Sequence, residues 1–413
     1  MTRVLIIGGT GFIGRHCAAS LTAAGHSVTP LGRQCLDLVQ DDEAVLATRI
    51  KGHTVVINAA GLVRGCGRNT MAAVHAQGTE RLVRACLAAG VSRLIHLSAL
   101  GASSDGGTRY QQTKGRGEDL LKAVSGLECC VLRPSLVIGR GGASTKVLTA
   151  LAALPWSPRI GPGSWMVQPV HVDDVAELMV RLVETKGALP GSLDVVGPAP
   201  MTTDEVTIAL RRWLGLPARR FLPVPEALLG VIARVGERLM NGPLNRDIVA
   251  MLKAGNTADP KPFSTILGRA PRRLEEALAQ HPACETDRQA ARLFFVRPLL
   301  RWSLGLLWLI TGLLSFGLYP VEDSARLLIS IGLDGVMADF ALYGGATLDF
   351  GLGILLLAGW RPVTLGCAML ASMAAFSLFA LGLPAEFWLH PFAPLLKNLP
   401  LAAATLAMMA MEA

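Results

Sequence analysis

The sequence predicts an α/β chain, a doubly wound parallel sheet with a smaller lobe, followed by an all-α bundle of four membrane-spanning helices. Three observations predict it. The first fourteen residues, MTRVLIIGGTGFIG, set a short apolar run, a glycine-rich turn and the start of a helix-period segment in that order. Apolar runs and helical segments then alternate, the pattern of βα units and a parallel sheet. Beyond Leu299 charge nearly vanishes: of 39 Lys and Arg residues only four, and of 31 Asp and Glu residues only seven, lie in 298–413.

The first element is Val4-Leu5-Ile6-Ile7, a continuous apolar run as expected of a strand buried on both faces. Gly8, Gly11 and Gly14 follow it, and Arg15 to Ala24 continues with helical spacing. In such a turn the first glycine allows the tight bend, the second lets backbone approach a pyrophosphate, and the third permits close helix–strand packing. Phosphates would rest against the unpaired N–H groups at the positive end of the helix. This is a Rossmann-type dinucleotide site.

The 413 residues suffice for two or three domains, and a mean hydropathy of +0.43 is high for a soluble protein. Residues 298–413 carry a net charge of −3, which leaves 35 basic and 24 acidic residues, a net +11, in 1–297. That balance fits a domain against an anionic leaflet. It does not fit one reading nucleic acid, because no recognition helix, zinc spacing or aromatic RNA motif accompanies it. Eight cysteines, at 17, 35, 66, 86, 129, 130, 284 and 367, include no C-x-x-C pair and read as free buried thiols in a reducing compartment. The N-terminus is already the first strand, so no signal peptide is expected.

The second strand is Ser27 to Leu31. Arg33 lies 19 residues after Gly14, where an acid would bind the ribose 2′-OH of NAD. A cation there suits a 2′-phosphate and favours NADP(H) over NAD(H). Asp37 and Leu38 occupy the place of an adenine-edge contact. Val55-Val56-Ile57 is a third strand, and the small residues after it, Ala59, Ala60 and Gly61, leave room for a cofactor. Thr79 to Ala89 reads as a helix with Gly90 as its C-terminal cap. Arg93 to Leu97 is a further strand ending at Ser98.

Tyr110 and Lys114 stand four apart on a predicted helix and therefore share a face. An ammonium there would lower the phenol's pKa and hold the nicotinamide ribose, letting Tyr110 move the proton that accompanies hydride transfer. Ser98 could bond the substrate oxygen. Tyr110 is one of only three tyrosines in the chain.

GGTGFIG (8–14), NAAG (58–61), HLSALGA (96–102), YQQTK (110–114), LRPS (132–135) and QPVHVDDVA (168–176) together resemble the extended or atypical branch of the short-chain dehydrogenase/reductase superfamily. The last motif resembles the branch that holds the accessory NAD(P)-binding subunit of respiratory complex I. The resemblance covers about residues 1–285. It implies Ser98, Tyr110 and Lys114 in catalytic roles. Cofactor contacts are implied at Gly8, Thr10, Gly11, Phe12, Ile13, Gly14, Arg33, Asp37, Leu38, Ala59, Ala60, Gly61, Tyr110, Lys114 and Pro134. Only twelve residues separate Ser98 from Tyr110, about half the interval usual in sugar-modifying members, which counts against a nucleotide-sugar epimerase.

Val131 to Pro134 reads as a strand stopped by proline, and 151–167, rich in Pro, Gly and Trp, as a pocket wall. His171, Asp173 and Asp174 fit no metal-ligand spacing. Asp174 reads instead as the cap of a helix over Val175 to Glu184. The resemblance implies that residues 200–285 are the smaller, substrate-side lobe, and Thr202 or Thr203 is expected to cap a helix through Trp213. Its arginines at 211, 212, 219, 220, 234, 238, 272 and 273 suit a surface resting on a bilayer. A linker is expected over 286–297.

Four spans follow in 298–413: Trp302 to Leu318, Phe340 to Trp360, Val363 to Leu383 and Pro394 to Met411. The pattern, with HPFAPLLKNLP (390–400), resembles the DoxX-like four-helix membrane family. Asp349 and Lys397, charged residues within these spans, are expected to pair. The whole reads as a multi-pass protein of the inner, cytoplasmic membrane with residues 1–297 in the cytoplasm. It would be a membrane-anchored NADP(H)-dependent oxidoreductase for an amphiphilic substrate such as a lipid, isoprenoid or quinone. The alternatives are a non-catalytic NAD(P)H-binding sensor or assembly factor, and an epimerase or dehydratase. A homo-oligomer or a partner in a membrane complex stays open.

Overall fold

The computed structural model describes residues 1–65, 67–218, 220–225, 227–228, 230, 246–383 and 396–412. Cys66, Arg219, Arg234, Arg238 and residues 384–395, which include part of the HPFAPLLKNLP segment and the start of the last expected span, lie outside the described residues. The chain divides into two units, Met1–Arg292 and Leu293–Ala413.

In the first unit β1 (Arg3–Ile7), β2 (Ser27–Leu31), β3 (Val55–Asn58), β4 (Arg93–Leu97) and β5 (Glu128–Pro134) join Ser192–Val195 in a six-stranded sheet. The order is Ser192–Val195, β5, β4, β3, β1, β2, with every neighbouring pair parallel. Alternation along the strands assigns the two faces. Val4, Ile6, Val55, Ile57 and Ile95 pack on α1 (Phe12–Ala23) and on the helix Val172–Glu184. Leu5, Ile7, Val56 and Leu94 pack on α2 (Glu43–Ile50) and α3 (Gly78–Ala88). Each such fully buried side chain stabilises the fold by roughly 1.5–3 kcal/mol. Because β1 lies between β2 and β3, the connections leave its carboxyl end on opposite sides, and a crevice opens there.

The smaller lobe is built on short elements. Ser157–Arg159 pairs in parallel with Phe221–Pro223, and Met166–Val167 pairs antiparallel with Met201–Thr202. Thr202 caps the helix Thr203–Trp213, and the Glu205 side chain returns the bond to the cap's own N–H.

Several expectations need correction. The cap of the helix Val172–Glu184 is His171, whose Nδ1 accepts from Asp173 N; Asp174 is wholly buried inside the helix. There Asp174 accepts from Arg269 Nη2 at 2.6 Å and from Arg272 N at 2.9 Å, so its carboxylate anchors the 269–272 turn. Cys35, Cys284 and Cys367 are exposed, not buried. A π-helical turn, Ala73–Gln77, precedes α3. Residues 286–297, expected as a linker, carry helix over Glu285–Leu293 and from Val296 onward.

In the second unit three helical stretches, Glu285–Leu318 (whose first residues belong to the first unit), Gly335–Leu357 and Pro362–Ala380, are long and apolar enough to cross a membrane. The last described helix, Asn398–Glu412, has 15 residues. Val296–Leu313 and Gly335–Leu357 pack through small residues: a Cβ on Gly312 would lie 2.6 Å from Phe350 N, and one on Gly353 2.5 Å from Leu309 N. Asp349 is buried, with no hydrogen-bond partner at Oδ1 among the described residues, whereas Lys397 is exposed; the two form no ion pair. The expected pairing is therefore not found. Glu412 instead takes Arg297 at 2.6 Å.

Asp174→Asn would leave two guanidinium groups facing a neutral amide. A fully buried pair loses about 3–5 kcal/mol this way, and the partial exposure of Arg269 and Arg272 reduces that to about 2 kcal/mol. Thermal unfolding of the detergent-solubilised chain should show the first unit melting several degrees lower; an unchanged transition contradicts the anchoring role.

Candidate active site

The turn after β1 is shaped by backbone contacts that admit no side chain. Gly8 has φ +75°, and a Cβ on it would sit 2.9 Å from backbone atoms of Ala59 and Ala60 in the loop after β3. Gly11 N donates to Gly8 O at 2.9 Å, and a Cβ on Gly14 would lie 2.2 Å from that same oxygen. Helix α1 therefore starts against the end of β1. Its cap, Gly11, offers no side chain to the first-turn N–H groups, and that turn holds no acidic residue. A narrow backbone cradle facing an uncapped helix N-terminus fits a pyrophosphate.

Two cavities flank this turn and share Gly11, Ala59, Ala60 and Gly61. The smaller, of about 190 Å³, is bordered by Gly8, Thr10, Arg33, Asp37 and Leu38. Arg33 is exposed and makes no ion pair among the described residues. Asp37 spends its carboxylate on Val39 N at 2.8 Å and Gln40 Nε2 at 3.3 Å, forming the loop under Leu38. The larger cavity, of about 510 Å³, is reached by Phe12, Ile13, Ser98, Tyr110, Lys114 and Pro134. Of the residues expected from sequence, Gly14 alone borders neither cavity; its place is the packing of α1 on Gly8.

Helix α4 (Arg109–Lys122) is capped by Thr108 and presents Tyr110 and Lys114 one turn apart. Lys114 is buried, and its Nζ donates to Leu97 O at 2.7 Å. Burial brings its ammonium down to about 8, with Glu118 opposing the shift. Tyr110 is half-buried, and its backbone N–H donates to Asp247 Oδ2 at 3.2 Å. Its phenol is pushed up to about 12 by desolvation. The sequence-based expectation of a lowered phenol pKa is not met, because desolvation dominates and the ammonium is directed at the Leu97 carbonyl. Ser98 is buried, and its Oγ has no hydrogen-bond partner among the described residues.

Two buried histidines beside Lys114 went unnoticed in the sequence. His75 Nε2 accepts from Leu62 N at 3.0 Å, so the proton is on Nδ1, which donates to Thr113 Oγ1 at 2.9 Å. Thr113 Oγ1 in turn donates to Tyr110 O at 3.1 Å, and the imidazole lies edge-on to the Tyr110 ring with centroids 5.6 Å apart. Burial, with the charge of Lys114 behind it, drives His75 down to about 2, so it is a neutral strut. It joins the loop at Gly61-Leu62 to the helix that carries Tyr110. The π-helical turn Ala73–Gln77 aims it, a bulge of the kind that recurs at functional sites. Gly117 of α4 allows the approach, since a Cβ there would meet His75 O at 2.3 Å. His96, held near 3 by burial, bonds Asn58 Nδ2 through Nδ1 at 3.1 Å, while Asn58 Oδ1 accepts from Ala60 N. The signal in the sequence was a pair of histidines within otherwise apolar elements; His96 opens the HLSALGA motif without being marked for a role there, and no motif contains His75.

Away from Ser98 and Tyr110 the larger cavity is walled by Val147, Leu148, Leu151, Ile160, Val206 and Leu252. Among the described residues, Lys114 and Arg159 are the only charged ones that border it. Arg159 is engaged by Asp204 at 3.0 Å and lies over the Phe221 ring. No group of three or more His, Cys, Asp or Glu residues able to hold a metal occurs among the described residues.

Residues 4–195 match the NAD dependent epimerase/dehydratase family, and residues 305–406 match the DoxX-like family. A ceramide reductase of Caulobacter vibrioides is 31% identical over 196 residues, 44% of this chain and 61% of that protein. The mitochondrial NADH-ubiquinone oxidoreductase 40 kDa subunit of Neurospora crassa is 26% identical over 171 residues, 41% of this chain and 44% of that one. The match to a Mycobacterium tuberculosis protein, 28% identical, spans 51% of this chain and 23% of that protein, so the chain covers less than two thirds of each of these relatives. Among solved structures, a human epimerase family protein with NADPH superposes with TM-score 0.54 at 23% identity, over 67% of this chain and 98% of that one. The Thermus thermophilus UDP-glucose 4-epimerase complex with NAD gives 0.50 at 21%, over 67% and 98%. The first unit thus has the NAD(P)-binding epimerase fold, and the chain is a membrane protein.

His75→Phe keeps the ring but removes both bonds, leaving Leu62 N–H and Thr113 Oγ1 without this partner at about 1–3 kcal/mol each. The loop at Gly61 should loosen, and NADPH affinity, read by fluorescence titration, should fall about tenfold or more. Unchanged affinity contradicts the strut.

Proposed function

We propose that this chain, which joins an NAD(P)-binding domain of the epimerase/dehydratase type to a DoxX-like membrane domain, is an NADP(H)-dependent oxidoreductase acting on an amphiphilic substrate. The observation that carries the proposal is the larger cavity: its walls are mostly aliphatic, interrupted by Ser135, Ser144, Arg159, Thr203 and Asn256, and its floor holds Ser98, Tyr110 and Lys114 beside the glycine turn. A nucleotide sugar would set many of its phosphate oxygens and hydroxyls against aliphatic walls. An apolar chain ending in a carbonyl or alcohol fits it.

A nicotinamide cofactor, which the glycine turn and the residues of this floor would hold, would supply or accept the hydride. The protein's own residues handle the rest. Ser98 Oγ, buried without a protein partner, bonds the substrate oxygen and orients the reacting carbon. Tyr110, protonated at neutral pH, donates its proton to that oxygen during reduction and accepts it back during oxidation. Lys114, cationic below about pH 8, places a positive charge one helical turn from the phenol and so offsets part of the cost of the tyrosinate that proton donation leaves, without overcoming the desolvation that raises the phenol's pKa. Arg33, with no carboxylate partner, supports a 2′-phosphate and hence NADP(H). The catalytic domain, residues 1–297, would lie on the cytoplasmic side of the inner membrane, where NADPH is supplied. The Caulobacter vibrioides relative named a ceramide reductase supports a lipid as the substrate.

The family match keeps a second reading in view, an epimerase or dehydratase that returns the hydride to its substrate. The mitochondrial relatives keep a third, a cofactor-binding subunit of a larger complex. Net NADPH consumption separates the first reading from both.

The test uses full-length protein, NADPH deuterated at C4 and total lipid extract, with Tyr110→Phe in parallel. Deuterium should appear in a lipid with wild type, and Tyr110→Phe should slow transfer by about 10²–10⁴-fold. Tightly bound NADPH that is never consumed would overturn the enzyme reading. Reduction should also decline as pH rises through about 8, because Lys114 then loses the proton that stabilises the tyrosinate. A rate flat from pH 7 to 9 contradicts that role for Lys114.

A further inference from the structure

Three of the most exposed large apolar side chains of the first unit lie in two segments, one at 156 and one at 222–228, next to residues that wall the larger cavity. Trp156 is 73% exposed, Leu222 53% and Leu228 47%. Ser157–Arg159 pairs with Phe221–Pro223, setting Pro158 opposite Leu222, and Trp156 and Arg220 are the residues that immediately precede the two paired segments. Trp156, Arg220 and Leu222 are exposed. Ser157 is buried and bonded to Arg211 at 3.1 Å. The exposed residues of this ribbon and its lead-in are thus a tryptophan, a leucine and a cation, the composition of side chains that sit at a membrane–water interface. The same segments wall the apolar cavity, through Pro158, Arg159, Ile160 and Val224.

From this we infer that the Trp156–Leu222 ribbon docks on the bilayer surface and forms the entrance through which a membrane-borne substrate reaches the cavity. The occupant is lipid and not a second protein, on three grounds. The chain's own apolar helices keep this domain at a membrane. The net charge of +11 in 1–297 complements an anionic leaflet. The ribbon is continuous with an apolar cavity, which a soluble substrate would not need. The entrance function rests on the oxidoreductase reading above, but the docking itself does not.

The full-length chain, in membranes of its expression host, would carry a photoreactive benzoylphenylalanine in place of one residue: Trp156, Leu222 or, as control, Val45. Val45 is an apolar side chain of similar exposure on α2. NADPH binding by each labelled chain verifies its fold. After irradiation, mass spectrometry should find phospholipid adducts at 156 and 222 at least fivefold above position 45. Adducts to another protein or to a second copy at 156 and 222, or lipid adducts no higher than at 45, overturn the inference. The adduct forms whether or not the site turns over, so loss of docking and loss of the oxidoreductase reading are told apart.

Discussion

One carbonyl, that of Gly8, sets the geometry of the first unit. It accepts the N–H of Gly11 and lies where any Cβ on Gly14 would stand, so α1 can begin only in contact with the end of β1. That contact aims the helix N-terminus at the crevice between β1 and β3. Gly8 itself presses on Ala59 and Ala60, which fixes the opposite wall. Both cavities open from this junction, so a single side chain here would displace the phosphate cradle, the adenosine-side loop and the floor of the larger cavity together.

The second constraint is the burial of titratable groups under that floor. Lys114, His75 and His96 lie close enough that the lysine's charge lowers both histidines. Were either imidazole protonated, the ammonium would face a like charge in a poorly solvated site. Neutral histidines avoid this: His75 still bonds at both ring nitrogens, and His96 bonds through Nδ1. They can stiffen the loop after β3 and the start of α4 without adding charge next to the lysine. Lys114 therefore keeps a proton whose affinity is lowered into the range where enzymes work.

Much of this was legible in the sequence because it is local. The apolar run, the three glycines and the helix after them occupy fourteen residues, and each glycine has a steric reason visible from its spacing. Tyr110 and Lys114 were legible because a helix repeats nearly every four residues. His75 was not: the π-helical turn shifts it off the α-helical phase, and its partners, Leu62 and Thr113, are 13 and 38 residues away. Asp174 was misplaced for a related reason. A carboxylate near a helix start is read as a cap, whereas here Arg269 and Arg272, nearly a hundred residues on, draw it into the interior. The phenol of Tyr110 was expected to fall because a lysine stands one turn away, but proximity in sequence says nothing of the Leu97 carbonyl that the ammonium meets. Apolar spans were plain from composition, while the partner of Asp349 was not, since helical spacing leaves open which faces meet across a bundle.

The membrane domain gives the apolar cavity a physical rationale. A substrate with long apolar chains is scarce in water and concentrated in the bilayer, so a soluble enzyme would bind it only by extracting it unaided. A chain that carries its own membrane helices holds its catalytic lobe within reach of that pool, and the search becomes local. Affinity in the cavity can then be modest, because the effective concentration at the entrance is high. Modest affinity also lets an apolar product leave. On the proposed reading, that division of labour accounts for mostly aliphatic walls above a polar floor. The walls would accept an aliphatic chain, while Ser98 and Tyr110 would select the oxygen at which the chemistry occurs.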